Sequence, residues 1–177
     1  QGLTGAELKG SVGHWKGQAS LMLNVGAFTG MLAFTKFTQR TSRRLAFAVG
    51  FVGAMLSTAL VFWVLSEPWH VYVLIPVMGF FMLGIFGGYA IYFPELFPTY
   101  LRSTGTSFCY NVGRFIAASG PWTIGLLSSR VFHGADEPLR YSGLMMCSIF
   151  IVGLLVLPFA PETRGQPLPD DERGFAH

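Results

Sequence analysis

Five long apolar runs alternate with short polar stretches along the chain, at about 17–34, 45–65, 71–93, 104–127 and 141–160. At 1.5 Å of rise per residue, about twenty helical residues cross a ~30 Å hydrocarbon core, which is the length these runs approach or exceed. The expected architecture is therefore all-α, a polytopic transmembrane helix bundle of about five spans. A polar stretch at 1–16 is predicted to be an outer loop or a short interfacial helix, and 161–177 a polar, cytoplasmic and partly disordered tail rich in Pro and Asp.

Within the runs small residues recur at intervals of four: Gly26 and Gly30, then Ala46, Gly50 and Ala54, then Gly105, Cys109, Gly113 and Ala117. Such stripes let neighbouring helices approach closely in lipid. Between the third and fourth runs, Tyr92 to Arg114 forms a charged turn with two prolines. Pro94 and Pro98 cannot donate to a helix ladder, so the third helix is predicted to stop near Phe93 and the fourth to start with Ser103 or Thr104 as its N-cap. Pro121 is predicted to kink the fourth.

Composition supports the bilayer reading: 51% of the residues are hydrophobic and only 12% charged, against roughly a quarter charged in soluble domains. The stretch Thr35–Arg44 carries four cations and no acid. Counting cations outside the runs gives seven on that side, with Arg102 and the tail, against four on the other; the positive-inside rule then makes the first side cytoplasmic. The net charge of +3 is scattered between apolar runs, so no nucleic-acid partner is implied. No cofactor or metal ion is implied either, because His14, His70, His133 and His177 form no ligand cluster and Cys109 and Cys147 lie at different depths. No catalytic constellation can be assembled, so the chain does not read as an enzyme.

The candidate chemistry is a single intramembrane cation. Arg114 lies twelve residues beyond Arg102, about 18 Å along a helix, which is close to mid-membrane depth. A charge there costs at least ~2.5 kcal/mol and by default faces a wet cavity or a partner. Asn111 and Tyr110 precede it on the same helix and are its expected neighbours in a substrate pathway. Asn24, the one strongly polar group of the first run, is a further candidate, weighed against an interhelical hydrogen bond.

Three motifs carry a family resemblance. Glu95 and Arg102 are separated by six residues, Pro161-Glu162-Thr163-Arg164-Gly165 follows the last run, and Arg40, Arg43 and Arg44 sit in a basic loop where Thr35, Gln39 and Ser42 replace two glycines and an acid of the pattern. In this order they resemble the major facilitator superfamily, and in particular the last five of its twelve helices, as found in sugar porters. The stretch Gly105–Arg114 is similar to the corresponding helix of metabolite:proton symporters that carry organic acids. The resemblance implies a secondary active transporter working by alternating access with proton coupling, in a plasma membrane. Its implied partners are the lipid bilayer, a small solute and a missing N-terminal half; the opening without Met also suggests a fragment. It further implies that Glu95, Arg102, Arg40, Arg43, Arg44 and Glu162 belong to a cytoplasmic gate, with Glu95 and Arg102 in a state-dependent ion pair. An organic anion suits Arg114, a sugar suits the Glu95 and Pro161 motifs, and a non-transporting membrane scaffold or sensor is the alternative of another class.

Overall fold

The computed structural model describes residues 5–169, with side chains from residue 9 onward. No strand occurs among the described residues, and the helices form five rods. The first four are α1 (Gly5–Arg40), α2 (Arg43–Val64), α3 (His70–Leu96), and α4 (Arg102–Ala117) continued by α5 (Gly120–Leu126) and a π turn at Leu127–Val131. The fifth is α6 (Pro138–Met146), continued by α7 (Ile149–Val156) and a short 3₁₀ turn at Leu157–Phe159.

Three of these rods, Arg43–Val64, His70–Leu96 and Pro138–Phe159, are both long and apolar enough to cross a membrane by length and composition. The sequence pattern predicts five. The other two are long helices of more mixed surface: α1 carries Gln18, Ser20, Asn24 and Thr29 through its middle, and α4 carries Arg102, a run of Ser and Thr, and Arg114.

Several helix ends differ from those expected. The stretch predicted to be an outer loop or a short interfacial helix is helical from Gly5 and runs without a break into the first apolar run, and the basic stretch stays helical as far as Arg40. No proline interrupts that course, and Gly10, Gly13 and Gly17 lower helix propensity without forbidding it. Only Thr41 and Ser42 separate α1 from α2. Ser42 is extended (φ −68°, ψ 151°), and its hydroxyl accepts from the Leu45 N–H at 3.1 Å, closing the α2 N-terminus.

The third helix does not stop at Phe93. It runs through Pro76 and Pro94 to Leu96, absorbing at each proline a lost donor and a crowded carbonyl four residues back. The chain turns extended at Phe97 (φ −116°, ψ 140°), the residue that Pro98 biases away from the helix. The fourth helix begins at Arg102 after a Leu101 in helical geometry, with neither Ser103 nor Thr104 as N-cap. Tight turns after Pro98, including Leu101 N–H to Pro98 O at 3.0 Å, already set the helical course. The predicted break near Pro121 is present: α4 ends at Ala117, and α5 restarts with Pro121 in its first turn.

The third rod is central, in contact with α1, α2 and α4, while α2 also touches the fifth rod. The α1–α3 contact is the most extensive, and its cause is legible in the residues. Gly26 and Gly30 face α3 so closely that a Cβ on either would overlap the backbone carbonyl of Pro76 or Phe80. Two backbones in direct contact maximise dispersion and leave no side-chain layer to order. The Ala46, Gly50, Ala54 stripe is buried as expected, and with Phe34, Phe47, Ile85 and Tyr92 it surrounds the bundle core. Phe47 sits at the middle of an aromatic group, with ring centroids 5.2 Å from Tyr89, 5.5 Å from Tyr92 and 5.5 Å from Phe34.

Candidate functional site: an ionic cluster and an aromatic cavity

The turn between α1 and α2, the end of α3 and the start of the tail meet at one end of the bundle. Arg43 is nearly buried, and its guanidinium grips Glu95 through two bonds, Nη2 to Oε1 at 2.6 Å and Nε to Oε2 at 3.1 Å. Its Nη1 donates to the carbonyl and the hydroxyl oxygen of Thr38, at 2.8 and 3.1 Å. Thr163 donates its hydroxyl to Glu95 Oε2 at 2.5 Å, so the carboxylate joins three chain segments. Glu162 accepts the backbone N–H groups of Arg43 (2.9 Å), Arg44 (3.2 Å) and Arg164 (3.2 Å), and Tyr92 donates its hydroxyl to the Pro161 carbonyl at 2.8 Å.

The Glu162 carboxyl is under opposed influences. Partial burial pushes its pKa up, but the three backbone donors and the nearby Arg44 charge outweigh this and hold it below the ordinary carboxylate range. Two free N–H groups at the first turn of α2 supply much of that pull, as helix N-termini do for anions.

Of the expected gate residues, this cluster gathers Arg43, Arg44, Glu95 and Glu162. Arg102 is not Glu95's partner: it turns back along the chain, and its Nε donates to the Pro94 carbonyl at 3.1 Å. Eight residues before Arg102, that carbonyl is an acceptor left at the helix end, whereas Glu95 is taken by a fork that fits it bidentately. Arg102 Nη2 is buried with no partner among the described residues. Arg40 is exposed at the last turn of α1, outside the cluster. The tail, predicted to be partly disordered, is fastened as far as Thr163 by these bonds; residues 170–177 lie outside the described residues.

A cavity of about 310 Å³ opens between α3 and α4, lined by aromatic rings of α3 (Phe86, Tyr89, Phe93) and by Tyr110, Gly113 and Arg114 of α4. Its walls are ordered by stacking: Tyr89 and Phe93 are parallel at 5.1 Å, and Phe93 meets Tyr110 edge-on at 5.3 Å. The small-residue stripe of α4, expected as a packing seam, instead faces this space. A Cβ at Gly113 would meet nothing within 4 Å, and Cys109 and Ala117 line the same cavity. Only Gly105 at its lower end is in close contact, against the Phe97 ring.

Arg114 and Tyr110 thus meet as expected, and the α4 helix runs unbroken from Arg102, so about 18 Å of rise separates the two arginines. The Arg114 guanidinium makes no hydrogen bond or ion pair among the described residues. Asn111 does not join them. It lies ~100° round the helix from Tyr110 and donates its amide to Ser107 O at 2.9 Å. Asn24 stands on α1, bonded to Ser20 O at 2.7 Å, and takes no part in the cavity wall. The sequence pattern alone does not single out the aromatic walls Phe86, Tyr89 and Phe93, although their spacing of three and four puts them on one helix face.

The chain is similar to several membrane transporters. It is 32% identical to a cis,cis-muconate transport protein of Acinetobacter baylyi over 148 residues, covering 81% of this chain and 34% of that protein. A probable 4-methylmuconolactone transporter of Cupriavidus pinatubonensis is 32% identical over 57% of this chain and 22% of its own length. An inner membrane metabolite transport protein of Escherichia coli is 36% identical over 52% of this chain and 20% of its own length. These relatives are metabolite transporters, which agrees with the resemblance of the chain to part of a major facilitator superfamily transporter. The chain's long apolar helices and its inner-membrane relatives make it a multi-pass integral membrane protein. It spans about a third or less of the length of the curated relatives it matches. No family model matches the chain, and no solved structure gives a significant match.

Proposed function

We propose that the chain is part of a secondary carrier, not an enzyme, which moves a small organic anion by alternating access, and that Arg114 receives the anion's carboxylate. One observation carries this reading: a cation whose side chain has no partner among the described residues lines an aromatic-walled cavity about 18 Å along α4 from its start. A guanidinium there needs a counter-charge, and a planar fork takes a carboxylate through two parallel bonds, as Arg43 takes Glu95 at the end of the same bundle. The ring faces of Tyr89 and Tyr110 supply apolar contact with polar tips. The names of relatives that carry muconate or a muconolactone are in keeping with such a cargo. Proton coupling would need a titrating group elsewhere in the full-length carrier, and the missing N-terminal half would supply the facing wall.

In this reading the Arg43, Glu95 and Thr163 cluster closes the cytoplasmic end in one state and opens in the other. Uptake kinetics of the full-length protein test the cargo, with surface expression held equal. Arg114→Lys keeps the charge and loses the fork, so it should raise the KM for an organic anion about tenfold; Arg114→Gln should abolish uptake. Unchanged affinity in both variants would remove the anion and favour a neutral, sugar-like cargo.

A further inference from the structure

A second cavity, of about 470 Å³, opens between the start of α2 and the end of α7 and has no part in the solute site. Ser42 and Arg44 form one part of its lining, and Leu45, Ala48, Leu154, Leu157 and Pro158 the rest. The apolar part continues into an exposed apolar face: Leu45 is 51% exposed, and Leu155 and Phe159 are 67% and 86% exposed. The groove thus opens onto an apolar face of the kind that lipid chains solvate in a multi-pass membrane protein.

The polar part has a charge, Arg44, that makes no ion pair among the described residues, although it acts on nearby Glu162. Arg44 is exposed, and its Nε donates to the Ala160 carbonyl at 2.7 Å, which fixes the guanidinium at the groove mouth. The nearest acid, Glu162, spends its oxygens on backbone N–H groups of α2 and the tail, so the two terminal nitrogens of Arg44 have no protein acceptor among the described residues. Ser42 Oγ accepts from Leu45 N–H, which leaves its own hydroxyl hydrogen available.

We propose that this groove binds an anionic phospholipid. Its phosphate meets Arg44 and the Ser42 hydroxyl, and the first methylenes of an acyl chain lie along Leu45, Ala48, Leu154 and Leu157. Charge and hydrophobicity are arranged in the order the lipid requires: the cation is at the mouth, and about 6 Å further along α2 the wall is Ala48, with no polar side chain lining the interval. A soluble anion would find the charge but no use for the hydrocarbon wall, and a zwitterionic lipid would bring its own cation against Arg44. The inference stands apart from the transport reading, since it uses neither Arg114 nor the aromatic cavity.

The full-length protein, reconstituted in phosphatidylcholine vesicles with spin-labelled phosphatidylglycerol or spin-labelled phosphatidylcholine, tests it by the fraction of immobilised label. A single juxtamembrane cation should favour the phosphatidylglycerol about fivefold. Arg44→Gln should bring this to the phosphatidylcholine level, whereas Arg44→Lys should keep most of it. Ala48→Phe fills the groove at constant charge and should also lower the preference. Lys36→Gln, an exposed cation outside the groove, should leave it unchanged. Equal binding of the two lipids by the parent protein overturns the proposal. So does an equal loss in Lys36→Gln, which would mark diffuse attraction, or an equal loss in Arg44→Lys, which would mark a role only through Ala160.

Discussion

Replacing Glu95 by glutamine keeps the side-chain shape and removes the charge that Arg43 and Thr163 share. The Arg43 and Glu95 side chains are 11% and 19% exposed, between the regime where a broken pair costs ~3–5 kcal/mol and the surface regime of at most ~1 kcal/mol. The substituted amide would still offer one oxygen, and Arg43 keeps its two bonds to Thr38, so the loss amounts to one charge-assisted bond and the weakening of another. That places the cost at ~2 kcal/mol, equivalent to a melting shift of roughly 4–8 °C for a chain of this size. The assay is a double-mutant cycle on thermal unfolding in detergent, with Glu95→Gln and Arg43→Gln alone and together. A coupling of at least ~1 kcal/mol is expected between them, and additivity between Glu95→Gln and Arg102→Gln. Coupling with Arg102 that matched or exceeded that with Arg43 would refute the geometry and restore the pairing suggested by the Glu95 and Arg102 spacing.

Other outcomes follow from the same contacts. Gly30→Leu should separate α1 from α3, because its side chain would meet the Phe80 carbonyl; a disulfide engineered between the two helices should then form slowly or not at all. The depressed pKa of Glu162 means that its anchoring of the tail is present above the ordinary carboxylate pKa and is lost as pH falls through the folded value. A fluorophore near Thr163 should therefore report release in acid, and Glu162→Gln should show weak anchoring with no acid transition. The charge distribution predicts that a cysteine at Gly134 is labelled from outside intact cells and one at Thr41 is not; the reverse pattern would invert the orientation.

The parts of the fold set by local chemistry were legible in the residues. On α1 the glycines spaced at four announce backbone contact, although not that the partner is α3, whereas the stripe at the same spacing on α4 faces a cavity. Pro121 announces the break in the fourth rod. Proline was a poorer guide at position 94, because a helix tolerates the loss of one donor in its last turn and stops only where Pro98 forces Phe97 extended. In the site, Arg114 could be singled out because a charge within a long, mostly apolar run is costly, and Tyr110 because it lies one turn before it. Asn111 failed as a partner because angular position on the helix, not proximity in sequence, decides what faces a cavity. The pairing of Glu95 with Arg43 lies beyond any local rule: 52 residues separate them, and only the packing of α2 on α3 brings the two together.

The backbone contact between α1 and α3 bears on how the chain is assembled in a bilayer. Helices enter in order, yet α1 makes few contacts with α2, the next to arrive, and its main partner is two helices later. It is also among the rods that fall outside the long, apolar class, with Asn24 and Thr29 in its middle. Within this chain the glycines of α1 stay uncovered until Pro76 and Phe80 arrive. Slowing the synthesis of α3 should expose α1 to quality-control proteolysis more than any other segment, which makes the glycine contact a checkpoint of biogenesis as well as a feature of the finished bundle.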